Sequence, residues 1–197
     1  NGAGNTRIQA ATYYHLTINE PGNVETYVLE GTTNAGGNFT LTLGTVDTVS
    51  GSNHPMTVTG DWSMASTTTF KAQASTLTVS GNWSQSNTTW STQSTGYGTS
   101  TVVFSGTTKT ITTTGISTHF YKLTISGGAS YTEATGSRIN IVNDLNIQGT
   151  LNTNASCDSS NQINQNGGTG TTITIAGTLG GSGCFYVSVA TPTYSFS

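Results

Sequence analysis

Charge is what this chain has least of. Only 13 of its 197 residues are charged, five Lys and Arg against eight Asp and Glu, for a formal charge of −3. A binder of nucleic acid by phosphate neutralisation needs a dense Lys/Arg surface, so that class is excluded. Ala, Leu, Glu and Lys are too scarce for a helix bundle or coiled coil. No apolar run approaches the length of a membrane span, so none is expected. The first residues, Asn1 to Asn5, are polar and Gly-rich, and no long apolar helix of the type IV pilin kind follows them. The chain therefore reads as a processed or excised segment.

In place of charge there are hydroxyls, amides and glycine. The sequence holds 42 Thr, 23 Ser, 17 Asn and 25 Gly, together 107 of 197 positions. With low net charge and abundant β-branched residues, this is β structure with a hydroxyl-rich exterior rather than charged disorder. Cys157 and Cys184 are the only two cysteines. They form either a structural disulfide or two buried thiols, and the Thr/Ser/Asn bias, which fits an oxidising compartment, favours the disulfide. Zinc is not expected, because no third and fourth ligand stand nearby. Four N-x-S/T sequons begin at Asn38, Asn82, Asn87 and Asn154, and these are the candidate N-glycosylation sites.

A short pattern recurs along most of the chain: an apolar–polar–apolar triplet followed closely by Gly. Copies begin at Leu16, Leu41, Met56, Leu77, Val102, Leu123, Leu145 and Ile173, and most intervals between them cluster near the length of one turn of a parallel β-helix. A longer repeat matches Tyr13–Ile18 with Phe120–Ile125, and Gly44–Thr48 with Gly149–Thr153. Within each copy apolar residues alternate with Thr or Ser, as in Thr76-Leu77-Thr78-Val79-Ser80, the mark of a strand buried on one face. Gly and Asn after each strand are expected to supply left-handed corners. The fold expected is an all-β parallel β-helix of about eight coils. A pilin-like β-sandwich completed by strand donation is the alternative. Residues 1–12 read as an extended N-terminal segment, 13–186 as the solenoid (a module at 13–119 and a partial one at 120–186), and 187–197 as a C-terminal extended strand. Trp62 and Trp83 hold equivalent places in two successive copies and are expected to stack on each other. Few charges guard either end, so Tyr194 and Phe196 are candidate subunit contacts.

The run Ser100–Ile111 followed by Phe120–Ile125, with L-T-V-S-G-N-W at Leu77–Trp83, resembles the repeat region of large secreted bacterial and archaeal β-helix surface proteins. The resemblance covers about residues 13 to 180. It implies a right-handed β-helix displayed outside the cell, in proteins mostly without an assigned activity.

No catalytic cluster emerges. The eight acidic residues are scattered, and the repeat register brings no carboxylate pair together as glycoside hydrolysis would require. His15, His54 and His119 are isolated, and no nucleophile elbow, phosphate loop or calcium loop is present. Trp90, Tyr97 and Tyr131, read as exposed, are the candidates for stacking on sugars. The sequence thus predicts a non-enzymatic, cofactor-free extracellular structural protein that self-associates into a filament or surface layer. The alternative is a carbohydrate-binding or adhesive module, with surface glycans as partners.

Overall fold

The computed structural model describes residues 5–22, 25–86, 89–90, 99–114, 118–154, 162–165, 170–188 and 193–196. The side chains of 89, 90, 114, 118 and 196 are not included. Among the described residues the regular elements are twenty-six short strands, with no helix long and apolar enough to cross a membrane. Every strand pair is parallel, and each partner lies one turn of chain away, as Thr45 does from Thr26 and Ile111 from Trp83. Three strands make one coil, and their stacking gives a parallel β-helix with three faces. Two facing antiparallel sheets, which the β-sandwich alternative requires, are not the arrangement found.

Face one has nine strands, from Thr12–Tyr13 to Thr193–Phe196; face two has eight, from Leu16–Asn19 to Thr178–Gly181. Face three is carried by two sheets, five strands from Asn5–Ile8 to Thr89–Trp90 and four from Thr118–Phe120 to Cys184–Val187. The nine strands of face one are separated by eight steps, in line with the coil number expected, and measure about 38 Å along the axis at about 4.8 Å per layer. The first strand pairs with Thr26–Leu29 and the last with Thr172–Ile175, so both terminal segments are layers of the same stack.

The short sequence pattern has a direct structural meaning. Its last six copies stack in register on face one, Met56 on Leu77, Val102, Leu123, Leu145 and Ile173 in turn. The first two, at Leu16 and Leu41, lie on face two instead, which explains the unusually short step from Leu41 to Met56. The longer repeat also changes face. Leu16–Asn19 is on face two and its counterpart Lys122–Ile125 on face one, while Thr45–Asp47 is on face three and Thr150–Thr153 on face two. Both matches are fourteen strands apart, which is four turns and two faces, so the second copy is rotated around the rod. The boundary at 119/120 falls within one strand, Thr118–Phe120.

Alternation fills the interior. Leu77, Val79, Val102, Phe104, Leu123 and Ile125 are fully buried, while Thr78, Val103 and Thr124 between them face out. The middle coils are packed with rings: Phe39, Trp62, Phe70, Trp83, Phe104, Phe120 and Tyr131 are all inaccessible to solvent. Trp62 and Trp83 stack with centroids 5.0 Å apart and planes 2° from parallel, and Phe39 continues the column 4.3 Å from Trp62. Further along, the interior becomes aliphatic with Leu145, Ile147, Leu151, Ile163 and Ile173.

The glycines between faces one and two correct the expectation of left-handed corners. Left-handed φ occurs at Gly44, Gly51, Gly128, Gly136, Gly170 and Gly181, not at Gly60, Gly81, Gly106, Gly149 or Gly177. At these corners a Cβ would run into the backbone of the layer beneath, the Gly60 carbonyl in the case of Gly81 and the Ser80 carbonyl in the case of Gly106. Glycine is needed there for close approach of successive layers.

Gly81→Ala should therefore destabilise the fold by about 1–3 kcal/mol, the range for overpacking. Gly127→Ala, with open space around it, should stay within about 0.5 kcal/mol of the parent. Urea denaturation of the two variants checks both.

Candidate functional site

The side chains following the corner glycines form a ladder. The triplets Gly37-Asn38-Phe39, Gly60-Asp61-Trp62 and Gly81-Asn82-Trp83 repeat one unit: a close-approach glycine, an Asx residue and an inward ring. The backbone N–H of Asn38 donates to His15 Nδ1 at 2.8 Å, and that of Asp61 to Asn38 Oδ1 at 3.0 Å. Asn82 donates through its backbone N–H (2.8 Å) and Nδ2 (3.1 Å) to Asp61 Oδ1, and Thr110 N–H donates to Asn82 Oδ1 at 3.0 Å. Five successive layers are thus tied together at the start of their face-two strands. Two of the candidate glycosylation sites, Asn38 and Asn82, belong to this ladder. Asn38 is exposed, and Asn82 is half-buried with its amide nitrogen engaged by Asp61. Asn154 donates through Nδ2 to Thr135 Oγ1 at 2.9 Å, and Asn87 lies outside the described residues.

The three sugar-stacking candidates do not form a surface. Tyr131 is completely buried, which overturns its assignment as an exposed platform. Period-two alternation puts it on the inner side of Ser130–Glu133, packed 4.6 Å from the Phe104 ring. Its hydroxyl reaches back two coils to the carbonyls of Val79 (3.0 Å) and Gly81 (2.9 Å) and accepts from Gly106 N–H (3.3 Å). Burial pushes this phenol up to about 12. Trp90 pairs in register with buried Phe70, but its side chain, like all of Tyr97, lies outside the described residues.

The candidate subunit contacts sit on the last coil, formed by Thr178–Gly181, Cys184–Val187 and Thr193–Phe196. Among the described residues each strand is paired on one side only. Tyr194 stacks on buried Ile173 and Val187 on buried Gln165, so both hold inward positions, yet they are 49% and 38% exposed because no described layer covers them. Tyr186, outward on the same coil, is 48% exposed. At the opposite end the inward Ile8, Leu16 and Ile18 are all under a tenth exposed. The Phe196 side chain is not described. Cys184 is disulfide-bonded; Cys157, the other cysteine of the sequence, lies outside the described residues.

The described acidic residues are mostly bound into the scaffold. Glu25 accepts from Thr6 Oγ1, Glu30 pairs with Arg7 at 2.8 Å, and Asp47 accepts from Val49 N–H and Gln73 Nε2. Asp144 accepts from Thr172 N–H and pairs with Lys122 at 2.8 Å, a hydrogen bond that raises the lysine's pKa. On face three, burial and then the Arg138 charge hold His119 below its ordinary value. The Asn140 amide lies 3.4 Å from its Nε2, and Asn164 Nδ2 donates to Asn140 Oδ1 at 2.9 Å. Glu133 differs from all of these: it is wholly buried, facing the core, and burial pushes its carboxyl up to about 7. Scanning for paired carboxylates passes over this residue. The available signal is its place at the second position after Tyr131, which puts both on one side of a strand.

Tyr131→Phe should cost about 1–3 kcal/mol, because it leaves buried carbonyls and an N–H without their partner. Asp61→Ala should cost about 1 kcal/mol by breaking one rung of the corner ladder. Equilibrium unfolding monitored by Trp62 and Trp83 fluorescence measures both.

No protein-family model matches the chain, and no curated protein or solved structure matches it either.

Proposed function

We propose that this β-solenoid is a non-enzymatic structural element of an extracellular filament or surface layer, built by stacking copies end to end along the rod axis. The large secreted surface proteins whose repeat the sequence resembles are displayed outside the cell, which suits an extracellular placement. The observation that carries the reading is the last coil. Among the described residues each of its three strands is paired on one side only, and Val187 holds an inward position yet is 38% exposed. In this reading a coil of a second copy, stacked on these strands, would complete their hydrogen bonding. Edge strands are ordinarily guarded by charge, and here no charged residue and no histidine follows Asp158 in the sequence. The acidic residues tied into capping bonds and ion pairs, rather than gathered in a cleft, also suit a scaffold. The disulfide at Cys184 supports an oxidising, extracellular setting. The adhesive alternative loses Tyr131 to the interior, and no other described residue favours it.

Negative-stain electron microscopy and light scattering of the purified chain test this. Regular fibres or discrete end-to-end oligomers are expected, and Tyr186→Lys combined with Tyr194→Lys should raise the assembly concentration by more than about tenfold, equivalent to about 1.4 kcal/mol. Dispersed monomers at all concentrations, or assembly indifferent to the two lysines, would sink the proposal.

A further inference from the structure

The interior is not uniform along the axis, and Glu133 stands where it changes character. It occupies the inward column that begins Leu16, Phe39, Trp62, Trp83, Ile111, one layer beyond Ile111. Below it, therefore, is an aliphatic side chain on an aromatic stack. Above it lies Thr150–Thr153, whose inward residues Leu151 and Thr153 carry no charge. The carboxyl is fully buried, and neither oxygen makes a hydrogen bond of ordinary geometry. The groups facing it are the backbone N–H of Asn154 and Gln162 in the next coil. Among the described residues no charged side chain contributes to its environment. Tyr131, on its own strand, is held neutral by its burial, and Arg138 is directed to the Gln162 amide oxygen. Asp158 lies outside the described residues. Beyond this layer the core also encloses Gln165, whose Oε1 has no hydrogen-bond partner.

We propose that Glu133 is a proton-controlled latch on the C-terminal coils: protonated, it lets the layers from Leu145 onward rest on the aromatic half of the rod, and ionised, it loosens them. An unpaired carboxylate in a dry core is costly, and the layers that keep it dry are the ones stacked above it. Opening these layers admits water to the charge while the ring-packed coils below stay closed. The direction follows from linkage. With the folded carboxyl at about 7 and the unfolded one near its ordinary value of 4.5, the contribution to stability is complete below 4.5 and lost as pH rises through 7. Between pH 5.5 and 8.5 those two values enlarge the opening constant by about thirtyfold. The latch holds for a single chain and does not depend on assembly.

Hydrogen exchange followed by mass spectrometry on the intact oxidised chain, corrected for the intrinsic pH dependence of exchange, tests it. Protection of Gln162–Gln165 and Thr178–Gly181 should fall about thirtyfold from pH 5.5 to 8.5, while Phe39–Leu43 and Trp62–Met64 stay level. In Glu133→Gln the C-terminal fall should disappear, and in Asp158→Asn it should persist. A fall shared by the whole rod, no fall in the parent chain, or an undiminished fall in Glu133→Gln overturns the latch. The first two outcomes are read on the parent chain and need no variant to fold.

Discussion

Everything in this molecule depends on one distance, the spacing of about 4.8 Å at which a backbone finds its hydrogen-bond partners in the turn below and the turn above. The ladder is parallel throughout, so no strand can be satisfied by its neighbour in sequence. Each must wait for the chain to travel a full coil, as short as the one from Thr26 to Thr45 and as long as the one from Trp83 to Ile111. Differences in coil length have to be absorbed at the corners without disturbing the ladder. The excursion between Thr45–Asp47 and Met56–Val58 shows how: Val49, Gly51 and Asn53 all take positive φ, and His54 N–H returns to the Thr48 carbonyl. The corner between faces one and two works differently, with layers so close that only hydrogen fits in place of a Cβ.

That spacing also sets what the inside can hold. Side chains in one inward column lie directly above one another, so flat rings are good occupants, and Trp62 on Trp83 uses the spacing almost as a stack of bases would. Seven buried rings concentrate apolar area in the middle coils, since each brings roughly 150–250 Å² out of water. The later coils have aliphatic side chains and enclosed polar groups, Glu133 and Gln165 among them. A stack whose layers contact only their neighbours has stability that varies along its length. Here the ring-packed region is central, and the aliphatic coils that carry the proposed latch lie toward Thr193–Phe196.

Much of this was legible in the residues. The apolar–Thr–apolar triplets revealed strand identity, buried face and the parallel solenoid, because identical environments in successive layers select similar residues. The Trp62–Trp83 pair was legible from the matching places of the two rings in consecutive copies. The face on which a copy sits was not: Leu16 and Leu123 belong to matching hexapeptides, yet lie on different sides, because a strand's local sequence encodes in and out but not its azimuth around the axis. Tyr131 was misplaced because a tyrosine tolerates either side of a strand, and its inward choice rests on three backbone groups contributed by Val79, Gly81 and Gly106.

By itself, then, the sequence determined that strands form, which side of each is apolar, and that they repeat at roughly one coil. These are properties of period and composition, readable over short stretches of chain. Only the tertiary structure decided which layers meet, and with that the use of the corner glycines, the burial of Tyr131, the isolation of Glu133 and the exposure of Tyr194. Each of these depends on what the chain places directly above or below, a full coil away, and the sum of variable corners that sets that register is not written in any single strand.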